Sequence, residues 1–168
     1  MEIKTERLHI RTIQADDWTD LKNIWNDFSK SKYAQYDVPH KKDDEQVKEQ
    51  AIKFEKYGLF YAICLNNKVI GYIDFHDTGE GYDMGYCFLS KYHGKGYAKE
   101  SCKALLEYHS SKGVKCFTAG TGLNNIPSVQ LLKSLGFTLV GTEKVSFYKD
   151  EQGKDIYFDG GIYELSFE

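Results

Sequence analysis

The segment Lys91-Tyr92-His93-Gly94-Lys95-Gly96-Tyr97-Ala98 constrains this chain more than any other, because it joins an apolar run of period two to a stretch of helical period. Glycines at such a junction remove Cβ atoms, so successive backbone N–H groups can turn toward one anion. The unsatisfied donors and dipole of the helix N-terminus add to that attraction. The spacing predicts a phosphate-binding turn. Lys95, Lys99 and Lys103 recur every fourth residue on the expected helix, a basic stripe suited to a ligand with several phosphates, though a tight turn beside a solvated lysine face reads the same way. Two nucleotide motifs fail here. A dinucleotide fingerprint needs Gly or Ala three residues after the second glycine, where this chain has Lys99, and no acidic residue ends the next strand at Phe117-Thr118-Ala119-Gly120. No G-x-x-x-x-G-K-[ST] occurs.

The rest of the chain arranges itself around that junction. Leu8, Ile10 and Thr12 alternate with His9 and Arg11 as in a half-buried strand, and Trp18, Leu21, Ile24, Trp25 and Phe28 form a helical stripe behind a cap at Asp16 or Asp17. Residues 31–40, carrying Tyr33 and Tyr36, read as a loop. A second helix is expected over 43–56, opened by Asp43 and Asp44, with Val47, Ala51 and Phe54 inward. Apolar runs 59–65 and 69–75 flank Asn66-Asn67-Lys68, residues that tolerate positive φ in a tight hairpin turn. A strand over 82–89 leads into the glycine turn, and a helix over about 95–112 buries Ala98, Cys102, Leu105, Leu106 and His109. A strand at 114–119, a helix opened by Pro127 and ended by Gly136, and strands at about 138–148 and 156–167 complete the chain. The order β-α-α-β-β-β-α-β-α-β-β predicts a mixed sheet with antiparallel hairpins first and a crossover helix after residue 94.

Length and charge narrow the function classes. At ~150 residues per domain, 168 residues predict a single domain over 1–168, without repeats or linkers. A net charge of −3 argues against a nucleic-acid partner. No run of 18 apolar residues exists and Met1-Glu2-Ile3-Lys4 lacks the apolar stretch of a signal peptide, so a membrane partner is not expected. Cys64, Cys87, Cys102 and Cys116 contain no C-x-x-C pair, which fits free thiols of a reducing cytoplasm better than disulfides or a metal site.

With its neighbours, the turn resembles the GNAT superfamily of acyl-CoA-dependent N-acyltransferases. That family's [RQ]-x-x-G-x-[GA] signature is matched by Lys91-Tyr92-His93-Gly94-Lys95-Gly96 except at Lys91. Asn125-Ile126-Pro127-Ser128 through Lys133-Ser134-Leu135-Gly136-Phe137 is similar to the family's later N-x-x-[AS]-x-x-x-x-x-x-x-G-F helix. Thr5-Glu6-Arg7-Leu8-His9-Ile10-Arg11 and Gly85-Tyr86 resemble one branch, the ribosomal-protein N-terminal acetyltransferases and their relatives. The resemblance covers essentially the whole chain. It implies an α+β (mixed α/β) fold, a mostly antiparallel seven-stranded sheet flanked by about four helices, with acetyl-CoA as cosubstrate.

The resemblance also assigns places. The diphosphate of CoA would lie on His93, Gly94, Lys95, Gly96, Tyr97, Ala98 and Lys99, and the pantetheine along Tyr86, Cys87, Phe88 and Leu89, with a backbone N–H near Phe88 as oxyanion donor. Asn125, Ser128 and Lys133 would flank the cofactor from the later helix. Asp83 stands where relatives often carry a carboxylate base, although an exposed strand carboxylate reads equally well; Glu143 and Asp159 are weaker alternatives. Many relatives place a tyrosine acid four residues before the closing Gly-Phe, and this chain has Leu132 there. Ser128 is the remaining candidate acid, against a plain helix-start hydroxyl. Trp25, Tyr33, Tyr36 and Tyr148 would line the acceptor site, or would simply be buried or interfacial aromatics. The implied acceptor is a primary amine, on a peptide or protein N-terminus or on a small molecule, and the branch allows a homodimer. The missing tyrosine keeps open an alternative, a non-catalytic acyl-CoA-binding module.

Overall fold

The structure, a computed structural model, describes residues 1–40 and 42–168. Eight strands form one sheet: β1 (Glu2–Lys4), β2 (His9–Thr12), β3 (Phe60–Leu65), β4 (Lys68–Asp77), β5 (Tyr82–Phe88), β6 (Cys116–Gly122), β7 (Thr138–Lys149) and β8 (Asp155–Ser166). Their spatial order is β1-β2-β3-β4-β5-β6-β8-β7. All neighbours run antiparallel except β5 and β6. The sheet has eight strands rather than seven because Glu2–Lys4 pairs with β2, and three residues are too few to show a period. The mixed fold is otherwise as the sequence implies.

Among the described residues, four α-helices cover the sheet: α1 (Trp18–Ser29), α2 (Asp44–Tyr57), α3 (Tyr97–Ser111) and α4 (Ile126–Ser134). Their stripes divide the core. On one face α1 and α2 bury Leu21, Ile24, Trp25, Val47 and Ala51 against Phe60, Ala62, Cys64 and Tyr72. On the other, α3 and α4 bury Cys102, Leu105, Leu106 and Leu132 against Ile63, Ile73, Phe75, Met84 and Phe117. Strand alternation therefore sends Met84, Tyr86 and Phe88 of β5 to the α3 face, and Asp83, Gly85 and Cys87 to the α1–α2 face.

Local signals behave as expected, with one revision. Asp43 and Gln46 form a reciprocal capping box at α2, and Asn66 and Asn67 take φ of 49° and 64° in the β3–β4 turn. Asp17 does not cap α1 through its side chain. Its carboxylate instead takes both guanidinium nitrogens of Arg11, at 2.7 and 2.8 Å, and the Gln14 N–H at 2.8 Å. Arg11 thus ties β2 to the start of α1.

His109 on α3 is 4% exposed, with Nε2 3.1 Å from the Tyr61 hydroxyl and its ring against Phe75. Burial holds its pKa down at about 4. The folded state keeps this imidazole neutral, whereas the unfolded chain binds a proton near pH 6.5, so the stability contribution is full above that pH and is lost as the pH falls toward 4. We expect roughly 2 to 3 kcal/mol of acid destabilisation across that window from this group. Urea titrations of wild type and His109→Gln at pH 7 and 4.5 check this: the variant should lose markedly less stability on acidification.

Candidate active site

Among the described residues, the parallel pair β5–β6 is joined at Tyr82–Phe117 and Asp83–Thr118, and beyond Asp83 the two strands part. β4–β5 pairing continues without a register shift to Gly71–Phe88, and the Leu89 N–H donates to Ile70 O at 2.9 Å. Alternate residues of an antiparallel strand point their backbone polar groups to opposite sides, so those of Met84, Tyr86 and Phe88 face β6; the Asp83–Thr118 bridge engages the Met84 N–H, and the amides of Tyr86 and Phe88 face the opening. A free strand edge with buried flanks is a place for an extended ligand to pair.

That edge runs straight into the glycine turn. The helix starts at Tyr97 with Gly96 as its N-cap, so Lys95 lies in the turn and not on the helix; the basic stripe on α3 begins at Lys99. Gly94 and Gly96 have φ of 74° and 82°. Among the described residues, no protein acceptor takes the N–H of any residue from Gly94 to Lys99, while Gly96 O accepts the first helical bond from Glu100. Six consecutive amides are therefore available to an anion at the positive end of α3. His93 closes the turn from the strand side, its Nε2 donating to Phe88 O at 2.8 Å. Lys91, Lys95 and Lys99 are exposed around it.

Ser128 and Tyr86 meet across the opening. Asn125 caps α4 by accepting the Ser128 N–H, and the Ser128 hydroxyl hydrogen-bonds the Tyr86 hydroxyl of β5. Burial keeps the Tyr86 hydroxyl protonated far above its ordinary pKa. Leu132 is fully buried in the core and presents no polar group. Lys133 is exposed at the end of the same helix. The Tyr86 side chain is a polar group that sequence reasoning passed over, having counted this residue only for its main chain.

On the α1–α2 face, Asp83 stands where the strands part. Thr118 donates to its Oδ1 at 2.7 Å, and burial raises its pKa, opposed by that bond and by the charge of His76. His76 is the cross-strand neighbour of Asp83 and pairs with Asp74, Nε2 to Oδ2 3.0 Å; this bond raises the His76 pKa. Asp74 is 8% exposed and lies across Gly85, where an added Cβ would sit 2.8 Å from the carboxylate. The Gly85-Tyr86 pair noted in the sequence thus has a physical reason, because only glycine admits Asp74. Sequence spacing offered no signal for the Asp74–His76 pair. Glu143 and Asp159, the other carboxylates considered, are exposed on the β7–β8 hairpin, with Asp159 paired to Lys144 at 2.6 Å.

The aromatic candidates separate. Trp25 is 3% exposed and belongs to the core under α1, donating from Nε1 to the Tyr72 hydroxyl at 3.0 Å and stacking on His40. Tyr33 and Tyr36 are half-buried, with ring centroids 6.5 Å apart. Tyr36 lies on Gly122 at the end of β6 and edge-on to Phe158 of β8, so it borders the opening. Tyr148 is half-buried on β7 past a register shift at Ser146–Tyr148, and no ring contact joins it to Tyr33 or Tyr36 among the described residues. Cys87, also on this face, has its thiol pushed up by burial first and by Asp37, Asp27 and Asp74 next.

The chain is similar to known proteins. YnaD of Bacillus subtilis (strain 168), an uncharacterized N-acetyltransferase, is 28% identical over 163 residues, spanning 94% of this chain and 95% of that protein. A GNAT-family acetyltransferase from Bacillus anthracis superposes with a TM-score of 0.79 at 26% identity over 99% of this chain and 98% of that one. An acetyl transferase from Salmonella typhimurium that modifies the N-terminal serine of a 50S ribosomal subunit protein superposes with a TM-score of 0.83 over the full length of both chains; at 20% identity this likeness concerns the fold. The family model for the acetyltransferase (GNAT) domain matches residues 7–138, which include the glycine turn, the open edge of β5 and Asp83. The chain belongs to the GNAT family and is an acetyltransferase.

Proposed function

We propose that this enzyme transfers the acetyl group of acetyl-CoA directly to a primary amine within a ternary complex. The observation that carries this reading is the continuity of the unpaired β5 edge with the six free amides of residues 94–99. Tyr86 and Phe88 offer strand-type hydrogen bonds to an extended pantetheine arm, and the turn offers its amides to a diphosphate. Such a clamp can contribute ~7 to 11 kcal/mol by holding reactants in attack geometry. The Phe88 N–H is the candidate oxyanion donor.

The two faces of the sheet then divide the proton traffic. Asp83, at the closed end of the opening, takes the proton of the incoming amine, and the Ser128 hydroxyl, backed by Tyr86, donates toward the departing sulfur. Cys87 faces the acceptor side, but its raised pKa keeps it a thiol, which supports direct transfer over an acetyl-cysteine route. Tyr33 and Tyr36 border the acceptor entrance, on a peptide N-terminus or a small amine alike. The free state of all four cysteines supports a reducing, cytoplasmic setting, and no helix among the described residues is long and apolar enough to cross a membrane. Exposed Leu139, Val140, Phe147 and Tyr157 on the terminal hairpin support a homodimer.

Thiol release from acetyl-CoA tests the reading against panels of peptide N-termini, polyamines and aminoglycosides. We expect release that depends on both enzyme and amine, with the acetylated amine appearing in equal amount. Acetyl-CoA binding without amine-dependent release across the panels would contradict it.

A further inference from the structure

The opening motif Thr5-Glu6-Arg7 has no part in the chemistry above, yet it ends on the glycine turn. Arg7 NH1 donates to Lys95 O at 2.8 Å. Its Nε donates to Glu100 Oε2 at 2.7 Å, its NH2 lies 2.7 Å from the same oxygen, and its backbone N–H reaches Glu100 Oε1 at 2.9 Å. Thr5 adds its hydroxyl to Oε1 at 2.7 Å, and the guanidinium lies over the Tyr97 ring, 4.5 Å from its centroid. Glu100 thus fixes the Arg7 fork, and the fork fixes one carbonyl of the turn.

We infer that Arg7 is a positioning residue for the cosubstrate, holding the peptide between Lys95 and Gly96 so that its N–H faces the diphosphate; this rests on the reading given above. In a trans peptide the C=O and N–H point in opposite directions, so a carbonyl held by Arg7 aims the Gly96 N–H away from Arg7, to the other side of the turn. Gly94 and Gly96 confer the freedom that makes such a hold necessary, since glycine alone does not choose among several φ/ψ wells. The fork is required because one group must reach Glu100 and Lys95 O together, a geometry that an ammonium does not reproduce. Glu100 balances the charge of Arg7, so the contribution is orientation rather than net attraction.

Calorimetric titration with CoA tests this on the full chain, with wild type, Arg7→Ala, Arg7→Lys and Glu100→Gln compared and thermal midpoints measured alongside. We expect Kd for CoA to rise about tenfold or more in Arg7→Ala, with Arg7→Lys failing to restore it and Glu100→Gln falling between. With any amine that supports turnover, KM for acetyl-CoA should rise in proportion while kcat and KM for the amine stay within about twofold. Equal CoA affinity in wild type and Arg7→Ala overturns the positioning role and leaves the functional reading intact. Full rescue by Arg7→Lys, or a loss of kcat matching the loss of affinity, overturns it as well. Wild type that binds no CoA overturns both together.

Discussion

Replacing Asp83 by Asn is expected to lower kcat by about 10²- to 10⁴-fold while CoA affinity stays unchanged, the range that a positioned general base contributes. The side chain meets the geometric requirement, since it stands on the last β5 residue paired to β6, at the closed end of the gap and on the face opposite Tyr86 and Ser128. Burial raises its pKa and so strengthens it as a proton acceptor, with the Thr118 bond and the His76 charge acting the other way. The acid limb of the kcat/KM profile should therefore lie above the ordinary carboxylate range and should disappear in the variant. The carboxamide oxygen that Asp83→Asn introduces could still accept from Thr118, so the fold and the open β5 edge are preserved. Turnover unchanged by the substitution would move the base elsewhere, and His76, paired to the buried Asp74, would be tested next by His76→Ala.

What the sequence revealed and what it withheld follow from the range of the interactions involved. The glycine turn, the helix start at Asp43 and the stripes of α1 and α3 are local, and each is read from neighbours within a few residues. Most of the arrangements that were not legible join distant segments: Arg7 with Glu100, Tyr86 with Ser128, and Asp74 with Gly85, a pairing that depends on strand register. Periodicity fixes which face a side chain occupies but not which residue it meets there. Trp25 shows the limit from the other side. Its place in the α1 stripe made it core, and its aromatic character made it an acceptor candidate; the structure puts the ring in the core and leaves Tyr36 at the opening. The spacing of Lys95 to Lys99 suits a helix, but the φ of 82° at Gly96 ends the helical geometry one residue after it.

Gly96→Val should weaken CoA binding by at least about 100-fold, some 2.7 kcal/mol, while the chain still folds. Two costs combine at this position. The φ of 82° lies in the left-handed region, where a residue other than glycine is strained by about 1 to 3 kcal/mol and a β-branched one by the upper part of that range. An added Cβ would also lie 3.3 Å from Arg7 NH2, so the branched side chain crowds the guanidinium that holds Lys95 O, rather than filling the space of the anion itself. The turn relieves both by rotating peptides 95–96 and 96–97, which takes at least two N–H donors away from the diphosphate, and hydrogen bonds to a charged group are worth about 1.5 to 3 kcal/mol each. The core is untouched, because Gly96 is exposed and α3 keeps Cys102, Leu105 and Leu106 in place. Gly96→Ala carries the strain without the branch and should lose less affinity than Gly96→Val. Calorimetry with CoA and a thermal melt separate the effects, and wild-type affinity in Gly96→Val would remove the diphosphate from this turn.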